Sequence, residues 1–93
     1  MVLEQHAAES TPEIEAEKRQ LLKAEADIEN GWNRLRNQED LTNWLRASGH
    51  NTAEAERLVQ ILKSTLVQWE RHRQLIVERI AYLQARRSVS DLE

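Results

Sequence analysis

Apolar and small residues recur along this chain every seven positions. Ile14, Leu21, Ile28, Leu35 and Thr42 form one series, and Ala55, Leu62, Trp69, Ile76 and Leu83 form a second. Ala24, Trp32 and Leu45 fill neighbouring slots in the first series. In the second, Leu58, Thr65 and His72 stand three residues further on, and Val59, Leu66 and Ile80 four. This is a helical period, and no stretch keeps a strand's period of two for long. The pattern predicts an all-α fold of two long helices, about 11–48 and 52–87, with flexible tails at 1–10 and 88–93.

The two series are separated by Ser48-Gly49-His50-Asn51-Thr52-Ala53-Glu54. A glycine just past a helical pattern supplies the left-handed residue that ends many helices. Asn51 then reads as an N-cap, with Glu54 three residues on as its capping-box partner. A stop followed at once by a start leaves a corner at 49–51. So short a connection makes the helices antiparallel neighbours, a coiled-coil-like hairpin. At the other end Pro12 suits the first helical position, capped by Thr11 or through a Ser10–Glu13 box. Folding back about Gly49–His50 brings Leu45 to Leu58, Leu35 to Leu66, Trp32 to Trp69, Ile28 to Ile76, and Leu21 to Ile80 or Leu83.

Charge fits that fold. The net charge is −3, but residues 1–30 hold eight acids and three bases, whereas residues 31–93 hold eight acids and ten bases. Folding back sets Glu13, Glu15 and Glu17 beside Arg79, Arg86 and Arg87, so the asymmetry needs no outside partner. Such exposed pairs are worth only ~0–1 kcal/mol each and select orientation more than they supply stability. The same folding places acids beside the one basic stripe (Arg71, Arg73, Arg79, Arg86, Arg87). Nucleic-acid binding through these arginines is therefore a secondary reading.

Composition narrows the chemistry. Ninety-three residues make one small domain, and there is no cysteine to staple it. Absence of cysteine fits a reducing cytoplasm, the start Met-Val-Leu-Glu-Gln-His has no signal-peptide character, and no apolar run is long enough to span a membrane. There is no phosphate-cradling glycine loop, nucleophile elbow or cysteine nucleophile. His50 and Glu54 stand a helical turn apart, but two ligands do not make a zinc site. The Glu-x-x-His signature of carboxylate-bridged metal bundles is absent. His72 reads as a half-buried histidine resting on Trp69, with a pH-sensitive interface as the sharper alternative. The expectation is a non-enzymatic protein without cofactor or metal.

What remains is apolar surface off the seam. Ile61, Leu75 and Tyr82 lie on one side of the second helix, with Val67 and Val77 further round. Leu41 and Trp44 leave the seam of the first helix near the corner. One seam cannot hide all of these, and apolar surface rimmed by charge marks a protein-binding face. Leu41, Trp44, Ile61, Leu75 and Tyr82 are therefore the candidate partner-binding residues. Trp44 has two readings: an anchor for a partner, or a side chain closing the bottom of the hairpin. The partner is another protein or a second copy, the latter forming a homodimeric four-helix bundle.

The stretch from Arg34 to Ile76 resembles small helical-hairpin proteins of rhizobial alphaproteobacteria. The likeness rests on Arg34, Gln38, Leu41 and Leu45, then Gly-His-Asn-Thr-Ala-Glu-Ala-Glu-Arg-Leu from Gly49 to Leu58, then Leu66, His72-Arg73 and Ile76. Where this chain has Asn51 the pattern more often has aspartate, another helix-capping residue. The resemblance implies a bacterial cytoplasmic hairpin. Some small rhizobial helical proteins are antiactivators, which bind a transcriptional activator and mask it. The resemblance carries no catalytic residue.

Overall fold

A computed structural model describes residues 11–92, with side chains as far as Arg87. Two helices account for it: α1, Pro12–Ala47, and α2, Ala53–Leu92. They pack side by side, antiparallel, as an all-α hairpin measuring 69 × 21 × 14 Å. The tail expected at 1–10 lies outside the described residues. The tail expected at 88–93 is not one throughout, because α2 continues past residue 87 to Leu92. No glycine or proline stands in Arg86-Arg87-Ser88-Val89-Ser90 to stop it.

Local chemistry sets the helix ends. The Ile14 N–H donates to Thr11 Oγ1 at 3.2 Å, so Thr11 caps α1, with Pro12 in the first turn and Glu13 and Glu15 favourably near the positive end of the helix. At the far end Gly49 has φ +78°. The Gly49 N–H donates to the Arg46 carbonyl at 3.2 Å and the His50 N–H to the Leu45 carbonyl at 2.9 Å. These two bonds are a Schellman closure, which satisfies carbonyls that the helix leaves unpaired. The start of α2 differs from expectation. The helix begins at Ala53, so Thr52 occupies the cap position. Asn51 Oδ1 accepts from the Ala53 N–H at 2.9 Å, and the Thr52 hydroxyl reaches the Glu56 carboxylate at 3.2 Å. Glu54 is therefore not a capping-box partner; the reach from Thr52 is to the acid one turn on.

The seam follows an alternating spacing of three and four, as in a coiled coil. On α1 it comprises Ile14, Glu17, Leu21, Ala24, Ile28, Gly31, Leu35, Gln38, Thr42 and Leu45, all buried or half-buried. On α2 it comprises Ala55, Val59, Leu62, Leu66, Trp69, Arg73, Ile76, Ile80, Leu83 and Arg87. Leu35, Val59 and Leu66 form the inner cluster, with Ile28, Leu62 and Trp69 packed on it. The one buried hydroxyl of this seam, on Thr42, donates to the Gln38 carbonyl at 2.7 Å.

Several expected core pairs are corrected by the rotation of the helices. The slot assigned to Trp32 belongs to Gly31. A Cβ at Gly31 would meet Leu66 at 2.8 Å and the Trp69 ring at 3.0 Å, so the glycine is what lets the indole approach the α1 backbone. Trp32 is instead 42% exposed, and the Trp32–Trp69 pair gives way to Trp69 on Gly31. Seating Trp69 there turns Val59 and Leu66 inward and Leu58 and His72 outward. Leu58 is consequently exposed and does not pair with Leu45, while the seam position beside His72 goes to Arg73.

Candidate interaction surface

Ion pairs identify the two flanks of the hairpin. Arg46 meets Glu56 at 2.9 Å and Lys63 meets Glu39 at 4.0 Å. All four residues occupy the heptad position just after the seam, and Trp32 and Val77 share it. This is the ion-pair flank. Leu41 and Leu58 occupy the position just before the seam, on the opposite side. Trp44 on α1, and Ile61, Leu75 and Tyr82 on α2, lie one step further out on that same side. All five sequence-derived candidates thus share one flank, and Leu58 joins them.

Those six side chains are between 45 and 64% exposed. In the antiparallel alignment Leu41 and Trp44 run alongside Leu58 and Ile61, next to the corner. Leu75 and Tyr82 continue the stripe along α2. Trp44 does not close the bottom of the hairpin as a core residue. Its ring stacks on His50, centroids 6.1 Å apart and planes at 24°. His50 is the residue after the left-handed glycine, and the contact is the side-chain partner that commonly accompanies a Schellman closure. His50 therefore orients Trp44 at the edge of the stripe. The sequence carried a signal for this contact: Gly49 fixes the turn, and the turn fixes the spacing from Trp44 to His50.

His72 is exposed, not half-buried on Trp69. The seam arginine, Arg73, buries its Nε without a hydrogen-bond partner. It lines a cleft of about 470 Å³ on the ion-pair flank with Glu25, Ile28, Glu29, Trp32, Asn33 and Arg36. Within it Arg36 donates to Asn33 Oδ1. Toward the open end, Arg79 Nε holds Glu17 at 3.1 Å, and Glu13 shares a surface cleft with Arg86 and Arg87. The acidic start of α1 and the basic stretch of α2 do lie together.

Among the described residues, no group of three or more His, Cys, Asp or Glu side chains could hold a metal ion. No described helix is long and apolar enough to cross a membrane. In comparisons with known proteins, no family model, curated protein or solved structure matches the chain.

Proposed function

We propose that this protein is a non-enzymatic protein–protein interaction module that takes a helix against the flank bearing Leu41, Trp44, Leu58, Ile61, Leu75 and Tyr82. One observation carries the reading. Along α2 these residues belong to a second three-and-four series, Leu58, Ile61, Thr65, Gln68, His72, Leu75, Arg79 and Tyr82, adjacent to the seam that packs on α1. Apolar residues at such spacing are how one helix receives another; here Leu58, Ile61, Leu75 and Tyr82 are interspersed with Thr65, Gln68, His72 and Arg79, and the four apolar side chains stay exposed in the described hairpin. Masking of a transcriptional activator is the specific form of this activity that the resemblance implies, with a bacterial cytoplasmic setting. The nucleic-acid reading is weaker, because Glu17 is bound to Arg79 and Glu13 lies beside Arg86 and Arg87.

The test is the size of the tagged protein in a bacterial lysate. The wild type should elute in a complex well above its own 10.9 kDa. Ile61→Asp combined with Leu75→Asp should elute as the lone chain with unchanged helicity. A wild type that runs as a lone chain would defeat the proposal.

A further inference from the structure

We infer that the helix received by this flank is α2 of a second copy, in antiparallel, two-fold symmetric pairing centred near Leu66–Val67. The inference rests on the interaction reading above and names the occupant.

The area fits. Large side chains of this kind carry roughly 150–250 Å² each, so six of them half exposed leave roughly 700 Å², near the ~800 Å² per partner of a standard interface. That area is divided between a cluster next to the corner (Leu41, Trp44, Leu58, Ile61) and Leu75 and Tyr82 further along α2.

The charges select both the partner and the register. Centred at Leu66–Val67, the pairing sets Leu58 against Leu75 of the copy, Ile61 against His72, and Thr65 against Gln68. It brings Tyr82 to the level of the copy's corner, beside Trp44 and His50. On the outer edge of the stripe the same register sets Arg57 opposite Glu78, twice by symmetry. Neither Arg57 nor Glu78 has an ion-pair partner among the described residues. Glu54 falls opposite Arg79, which already holds Glu17. Sliding the copies by one heptad, so that Leu58 faces Tyr82, sets Arg71 against its own symmetry mate and Arg79 against Ile61. The first register pairs leucine with leucine and opposite charge with opposite charge; the second does neither.

The interior supplies a further reason. The α1–α2 seam carries Ala24, Gly31, Thr42 and Arg73 at positions where a coiled coil prefers large apolar residues. A hairpin with so thin a core gains from a second layer of helices.

The experiment uses the purified full chain, with mass read by sedimentation equilibrium and helicity by circular dichroism. The wild type should be dimeric in the micromolar range. Arg57→Glu and Glu78→Arg should each weaken the dimer by about ten-fold or more, since each turns two symmetry-related contacts repulsive. The chain carrying both changes should regain near wild-type association. Because the sequence has no cysteine, cross-linking gives an independent reading. A chain carrying Leu58→Cys mixed with one carrying Leu75→Cys should form a disulfide-linked dimer under oxidation, and neither should do so alone. A purified chain that stays monomeric overturns the inference; if it still enters a large complex in lysate, the interaction reading stands with a different occupant. A dimer indifferent to both charge reversals, or one that the double reversal fails to restore, overturns it as well.

Discussion

At the scale of single residues, two glycines act for different reasons. Gly49 sits at φ +78° with nothing within 4 Å of where a Cβ would stand. The penalty for replacing it is therefore conformational. Gly49→Val should lower stability by about 1 kcal/mol or more, because a β-branched residue is strained at positive φ, and thermal melting followed by circular dichroism measures it. Gly31 has ordinary helical backbone, and its constraint is space. Gly31→Leu should lower stability by about 1–3 kcal/mol through overpacking against Leu66 and Trp69. Arg73 is the opposite case. Its buried, unpartnered Nε lowers stability in the folded state, so Arg73→Met, which keeps the stem and removes the polar head, should raise the melting temperature. A lower melting temperature for Arg73→Met would mean that the guanidinium contributes more than it loses. Trp44→Ala should leave the helicity and melting of the lone chain nearly intact, since its main described ring contact is the exposed one with His50, while weakening association.

At the scale of the elements, helix period, helix number and corner were legible from residues 11–87, and the reason is local. Heptad spacing and cap chemistry act within a few residues of one another, so the sequence displays them directly. The rotation of each helix about its axis was not legible. Leu58 and Val59 are neighbours of similar apolarity, and so are Gly31 and Trp32 as candidates for one slot. Only the fit of Trp69 into the space over Gly31, a contact between the two helices, decides between them. The exposure of Leu41, Trp44, Ile61, Leu75 and Tyr82 did not depend on this ambiguity, because they lie outside the seam under either rotation. The caps offer a check on the corner itself. Asn51→Ala should lower stability by about 1 kcal/mol, having lost the bond to the Ala53 N–H. Glu54→Ala should fall within about ±0.5 kcal/mol, as an exposed residue outside the cap network. Equal losses for the two would restore Glu54 as a capping partner.

The whole molecule is a rod, 69 Å long and one helix-pair wide. The contacts between its described helices all run between α1 and α2, which are joined only at the corner. The inner cluster at Leu35, Val59 and Leu66 lies toward the corner, whereas the Glu17–Arg79 pair spans 62 residues of sequence near the open end. That pair is exposed and therefore weakened by salt. The corner end is closed by backbone geometry at Gly49, whereas the open end is held by Ile14 and Leu83 in the seam and by the Glu17–Arg79 pair. Amide hydrogen exchange should run as a gradient, slowest around Leu35 and Leu66 and fastest toward Pro12 and Arg86, and added salt should steepen it at the open end. A molecule of this kind opens from one end only, which makes its outer helical turns, with the tryptophan-bearing corner still intact, the part free to separate and exchange neighbours without unfolding the rest.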